Sequence, residues 1–106
     1  FFGHGRAQLL SKIEEYGSLK KAAEKLGMSY RAAWGKLRKS EEVLGIPLVV
    51  KTGSNKEGYQ LTPEGKALKD KFIRWFDEVE NYATLKAEEI FPWNIKSYNQ
   101  KTSMNF

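Results

Sequence analysis

The sequence predicts a mainly α-helical chain with one small β-hairpin, and three observations carry that expectation. Residues 17–44, GSLKKAAEKLGMSYRAAWGKLRKSEEVL, hold two apolar stripes at helical spacing, separated by a tight turn at Gly27-Met28-Ser29. Directly after them, LVVK and YQL bracket the polar segment TGSNKEG, as two short strands and their connection do. From Thr62 the spacing becomes helical again and stays so to Ile90.

Size and composition bound what such a chain can be. At 106 residues it has room for one domain with a modest core and not for a second, ligand-binding one. It has no cysteine, which removes disulfides, thiol catalysis and cysteine-based zinc sites. No apolar run approaches a membrane span, and the start FFGHGRAQLL lacks the charged lead and long apolar core of a signal peptide. A soluble, cytoplasmic protein with no membrane partner is expected. One domain is predicted over 1–90, followed by a tail over 91–106.

Gly3 and Gly5 mark residues 1–5 as a short arm. In the following segment Ala7, Leu10, Ile13 and Tyr16 make one stripe with Leu9 beside it, while Lys12, Glu14 and Glu15 face solvent, so a helix is predicted over 6–16. Ser18 then suits the cap of a short second helix carrying Leu19, Ala22, Ala23 and Leu26. Gly27 stands where the chain needs a left-handed backbone angle, and Met28 can tuck under the corner. Ser29 caps the third helix, in which Tyr30, Ala33, Trp34, Leu37, Glu41 and Leu44 share one side, Glu41 being its polar interruption. The small residues Ala22, Ala23, Gly27 and Ala33 let two helices cross steeply at a short turn.

Gly45 closes that helix and Ile46-Pro47 redirects the chain, because proline disfavours a helical conformation in the residue before it. The hairpin follows, with Lys51 and Lys56 in or beside its connection. Thr62-Pro63-Glu64 opens the last helix with a cap, a proline at the first helical position and an acid near the positive helix end. Two apolar rows run along it. Leu68, Phe72, Trp75, Val79 and Tyr82 form one; Ile73, Phe76, Ala83, Ala87 and Ile90 form the other. One row suffices to dock the helix on its own domain, so the second implies a surface for another copy of the chain. Phe72, Trp75, Phe76, Val79, Tyr82 and Ala83 are the candidate dimer residues, the alternative being one wide face covered by the N-terminal helix. Beyond Phe91-Pro92-Trp93 the tail is polar with scattered aromatics, either disordered or packed through Phe91 and Trp93 on the dimer or on another protein.

Charge is distributed unevenly over this plan. Between positions 19 and 39 lie Lys20, Lys21, Lys25, Arg31, Lys36, Arg38 and Lys39 against the single acid Glu24, a formal +6 where the whole chain carries +5. Positions 70–90 carry −3. Cations gathered on a helix-turn-helix followed by a hairpin are what a duplex-binding surface requires, since neutralising phosphates releases condensed counterions. A lysine-rich face is otherwise simply a solvated one. It is the coincidence of charge with the turn spacing that favours DNA.

Residues 17–48 resemble the N-terminal winged helix-turn-helix of LysR-type regulators, and more closely that of the ModE-type, molybdate-responsive regulators. The likeness rests on Gly17-Ser18, Ala22-Ala23, Leu26-Gly27, Met28-Ser29-Tyr30, Ala33-Trp34, Leu61-Thr62 and Gly65, and covers about residues 5–82. It implies a winged helix-turn-helix with a long C-terminal dimerisation helix, hence a homodimer that binds double-stranded DNA. The separate oxyanion-binding domains of ModE-type regulators have no counterpart in these residues, so molybdate sensing does not carry over.

The expected mechanism places a recognition helix at about 29–44 in the major groove and a wing at 51–59 along the backbone or minor groove. Ser29, Tyr30 and Arg31 are the candidates at the helix start, Gly35 permits close approach and Lys36 lies on the same exposed side. Lys20, Lys21, Lys25, Arg38 and Lys39 suit phosphate contact or steering, with Lys56 on the wing. No phosphate cradle follows a strand, no nucleophile has a matching base, and His4, the only histidine, has no second ligand nearby. A non-enzyme with no cofactor, metal or small-molecule ligand is expected. Two further readings stay open: a winged helix used as a protein-interaction module, and a nonspecific architectural DNA-binding protein.

Overall fold

A computed structural model of the chain describes residues 3–53 and 58–93. The element order is α1 (His4–Tyr16), α2 (Leu19–Lys25), α3 (Tyr30–Leu44), β1 (Val49–Lys51), β2 (Tyr59–Leu61) and α4 (Pro63–Ile90). The chain divides into two compact units, the first ending at Asp70 and the second beginning at Lys71.

In the first unit α1 is the central support, packing against α2, α3 and β2. It begins earlier than the sequence suggested. Gly3 is its N-cap, with the carbonyl accepting from the N–H groups of Arg6 and Ala7, so Gly5 lies within the helix rather than in an arm. Leu9, expected beside the stripe, is as fully buried as Leu10 and Ile13, because neighbours cover α1 on more than one side, whereas Tyr16 at its end is exposed. Gly17 (φ 63°) ends the helix.

The α2–α3 corner has a complete hydrogen-bonded form. Ser18 Oγ accepts from the Lys21 N–H at 3.1 Å to start α2. At the other end the Gly27 N–H reaches the Glu24 carbonyl at 3.1 Å and the Met28 N–H reaches the Ala23 carbonyl at 3.0 Å, with Gly27 at φ 69°. This pair of bonds is a Schellman closure, and Met28 packs on the core as such a closure favours. Ser29 Oγ then accepts from the Ala32 N–H at 3.0 Å. Caps of this kind each contribute about 0.5–2 kcal/mol.

The core gathers Leu9, Leu10, Ile13, Leu19, Ala22, Ala23, Ala33, Leu37 and Leu48. Polar links cross it where the helices meet. Arg6 Nε donates to Ser40 Oγ at 2.7 Å, tying α1 to α3 through a fully buried serine. Glu41, the polar interruption of the α3 stripe, uses Oε2 to accept from the N–H groups of Leu48 at 2.8 Å and Val49 at 3.4 Å, fixing the chain as it enters β1.

β1 and β2 pair antiparallel with Val49 opposite Leu61, Val50 opposite Gln60 and Lys51 opposite Tyr59. Leu48, expected in the strand, precedes it. The hairpin is anchored to the α1–α2 junction by a bridge between Ser18 and Gly58 and by the Tyr59 N–H donating to the Gly17 carbonyl at 3.1 Å. Thr62 Oγ1 donates to the Pro47 carbonyl at 2.7 Å and accepts from the Gly65 N–H at 2.9 Å, capping α4 while holding both ends of the hairpin. Gly65 and Lys69 are buried and Leu68 packs on the core. Glu14 is exposed as expected, and it also accepts hydrogen bonds from Lys66 at 2.9 Å and from Lys69, which pairs in turn with Asp70 at 2.9 Å.

The second unit contains the remainder of α4. Phe72 lies 5.5 Å from Trp75 and 6.4 Å from Phe76, ring centroid to centroid, and Arg74 pairs with Glu78 at 2.8 Å. The two apolar rows do not divide into one buried and one exposed. Trp75, Val79 and Tyr82 from one row and Ala83 and Ile90 from the other are exposed, joined by Leu85, while Phe72, Ile73, Phe76 and Ala87 are half-buried.

Candidate nucleic-acid interface

The first turns of α3 are built to be presented. The Schellman closure and the Ser29 cap set the start of the helix, and Ala33 and Leu37, one turn apart, hold its inner side against the core. Ser29, Tyr30, Arg31, Ala32, Gly35, Lys36, Arg38 and Lys39 are all exposed. Lys20 and Lys21 at the start of α2 are exposed as well, and Lys25 stands 5.6 Å from the centre of the Tyr16 ring. All seven cations between positions 19 and 39 lie on α2 or α3, and none is bonded to a carboxylate in the described ion pairs; Lys20 has further interactions of its own. Lys51, at the end of β1, is exposed too, and the wing residues Ser54, Asn55 and Lys56 lie outside the described residues.

Trp34 departs from the sequence expectation, while Tyr30, read both as a stripe residue and as a candidate at the helix start, stays at the surface. Trp34 and Tyr30 share the stripe with Ala33 and Leu37, yet they remain 37% and 38% exposed. The reason is the width of the buried face: Ala33, Leu37 and Ser40 suffice to fill the α3 side of the small core, and residues at the edge of that arc stay at the surface. The Arg38 guanidinium lies 4.8 Å from the centre of the Trp34 ring, so Arg38, expected as a phosphate or steering charge, also steadies an aromatic neighbour. Tyr30, Arg31, Trp34 and Gly35 line an open hollow on the helix surface. A signal for it was legible: two large rings four residues apart beside a residue with no side chain leave a gap between ridges.

The arrangement offers hydrogen-bond donors, fixed positive charge and a helix start, which together suit a polyanion whose edges carry acceptors. Among the described residues no group of three histidine, aspartate or glutamate side chains is placed to hold a metal. No helix of the described residues is long and apolar enough to cross a membrane.

Comparison with known proteins agrees with this geometry. The family described as bacterial regulatory helix-turn-helix protein, lysR family, matches residues 5–66. The chain is 37% identical over 68 residues to the molybdenum-pterin-binding protein MopB of Rhodobacter capsulatus, covering 62% of this chain and 25% of that protein. It is 35% identical over 65 residues to the molybdenum transport protein ModE of Azotobacter vinelandii, covering 59% of this chain and 24% of that protein. The chain thus spans about a quarter of the length of the curated relatives it matches. In fold it is similar to the CbnR DBD in a crystal structure with DNA, with a TM-score of 0.69 at 18% identity over 85% of this chain and 100% of that one. The BenM DBD in complex with benA site 1 DNA gives 0.63 at 22% identity over 82% and 94%. With a winged helix-turn-helix in place and more than half its length matched, the chain belongs to the lysR family of bacterial regulatory helix-turn-helix proteins.

Proposed function

We propose that this chain is the DNA-reading part of a transcription regulator, that it binds duplex DNA with sequence preference, and that it does so as a homodimer in the cytoplasm, without catalytic activity of its own. The observation that carries the reading is the cation-bearing start of α3, where Arg31, Gly35 and Lys36 are all exposed, as are Arg38 and Lys39 further along the helix. A helix of this kind fits the major groove, with Ser29, Tyr30 and Arg31 at base edges and Lys20, Lys21, Arg38 and Lys39 at phosphates. Lys51 and Lys56 would serve the wing. Family membership supports the same assignment, as do the printed descriptions of DNA complexes for proteins of like fold.

The dimer is read from α4, where Trp75, Val79, Tyr82 and Leu85 expose apolar surface at helical spacing, with Phe72, Phe76 and Ala83 beside them. An amphipathic helix with such a row is stabilised by a partner of the same kind. Two recognition helices related by a two-fold axis would occupy half-sites about 34–36 Å apart. Selection of bound fragments from random and genomic DNA tests the reading. A two-fold symmetric preferred sequence is expected; equal affinity for unrelated duplexes at moderate salt would reject it in favour of architectural binding, and binding of DNA no stronger than that of a variant neutralised at Arg31, Lys36 and Lys39 would reject DNA altogether.

A further inference from the structure

Tyr30 and Trp34 stand one helical turn apart on α3, both more than a third exposed, and with Arg31 and Gly35 they line a hollow in the surface of that helix. Position 35 adds no side chain of its own to this hollow, and a β-carbon built there would stand in open space. The indole is held in place by the Arg38 guanidinium, 4.8 Å from its ring centre. Two rings and a glycine thus supply most of the lining, Arg31 forms a charged wall, and Lys36 and Lys39 are exposed cations on the same helix.

We propose that Trp34, Tyr30 and Gly35 form a thymine-reading recess, which takes the 5-methyl group of one thymine per half-site in the major groove. This rests on α3 being the DNA-contacting helix. A protein partner is less suited to the hollow, since stable interfaces bury about 800 Å² on each side and need a broad apolar patch, not one recess among cations. Duplex DNA fits both properties. It is a polyanion, and the thymine methyl is the apolar group that its major-groove base edges display. Arg31, on the rim, is placed to hold a neighbouring base by hydrogen bonds while the recess accepts the methyl.

The test uses the intact chain and the duplex it prefers from a genomic selection, in which each thymine is replaced in turn by deoxyuridine, removing the methyl and nothing else. One position per half-site is expected to weaken binding about fourfold, the worth of burying one methyl-sized group. In Trp34→Ala, and in Gly35→Leu, which fills the recess from a position where a β-carbon has open space, the thymine and uracil duplexes are expected to bind alike. Should Trp34→Ala fail to fold, or Gly35→Leu, at the residue that permits close approach, lose duplex binding altogether, Tyr30→Ala supplies a further variant in which the two duplexes are again expected to bind alike, and a distinction that persists in it overturns the recess. Equal binding of thymine and uracil duplexes at every position by the unaltered chain, with its sequence preference intact, overturns the recess and leaves DNA reading standing. So does a distinction that persists in folded Gly35→Leu. If no duplex is preferred at all, the recess and the DNA reading fall together.

Discussion

The backbone of Gly65 lies against that of Leu48 so closely that a β-carbon at position 65 would stand 2.9 Å from the Leu48 carbonyl carbon, and closer still to its oxygen. The obstacle is backbone on both sides, held by the Thr62 hydrogen bonds to Pro47 and Gly65, so it cannot swing away as a flexible side chain would. Gly65→Ala is expected to destabilise the chain by about 1–3 kcal/mol, the usual cost of overpacking. Gly35→Ala, with nothing near its added methyl, is expected to stabilise by up to about 1 kcal/mol through helix propensity. Urea unfolding of the two variants side by side checks both signs.

Glu41 joins α3 to the start of β1 through the N–H groups of Leu48 and Val49. Glu41→Ala leaves the buried Leu48 N–H without its acceptor and is expected to cost about 1–3 kcal/mol. Glu42→Ala, one residue on and exposed, is expected to change stability by less than about 0.5 kcal/mol. Thermal melts of the pair separate the specific role from a general effect of removing an acid.

Hydrogen bonds from Lys69 and then Lys66 hold the Glu14 carboxyl below its ordinary range, and Lys69 does the same for Asp70. For Lys69, burial opposes its charge, but the bonds to Glu14 and Asp70 prevail and hold its pKa above the usual value. Depressed carboxyl values mean that this stabilisation is present above the unfolded values of 4.5 and 3.8 and is lost as the pH falls through the lower folded ones. The raised lysine keeps its share at all pH values below the unfolded value of 10.5. Glu14→Gln is therefore expected to cost about 1 kcal/mol at pH 7, a modest figure because the pair is partly solvated. The gap between the two proteins should close as the pH falls below 4.5 and through the lower folded value, as chemical denaturation across that range would show; a constant gap would mean that packing, not charge, is lost.

Arg31 and Lys39 separate reading from holding. Arg31→Ala is expected to cost about 1–3 kcal/mol on the preferred duplex and to relax preference at one base pair, because a guanidinium fork can grip guanine O6 and N7 together. Lys39→Ala is expected to weaken all duplexes alike and to reduce the slope of log affinity against log salt by about one. Titrations at several salt concentrations on preferred and random duplexes distinguish the two. Equal losses on both for Arg31→Ala would deny it a reading role.

Trp75 and Tyr82, 59% and 63% exposed, test the α4 row. Trp75→Glu with Tyr82→Glu is expected to shift sedimentation from dimer to monomer while helical circular dichroism of the first unit persists, since a charge buried unpaired in an apolar contact costs several kcal/mol. A chain that is monomeric before substitution would remove the dimer from the mechanism.

The local plan of this protein was written in its sequence because local physics is enough to write it. Ser18, Ser29 and Thr62 cap helices where serine and threonine oxygens satisfy free N–H groups, and Gly27 and Gly45 adopt the left-handed angles that end them. The concentration of cations over positions 19–39 was equally plain. What tertiary structure alone decided is where the edge of each stripe falls. A period of 3.6 residues assigns a side to Trp34, Tyr30 and Leu9 but not a depth, and depth depends on how many neighbours arrive from elsewhere in the chain. Two sides of α1 were covered, so Leu9 went in; the arc of α3 that the core could cover was narrow, so Trp34 and Tyr30 stayed out. Long-range polar pairs obey the same limit. Glu41 with Leu48, Arg6 with Ser40, and Glu14 with Lys66 and Lys69 join positions whose nearness no periodicity encodes, because it is created only when the helices pack.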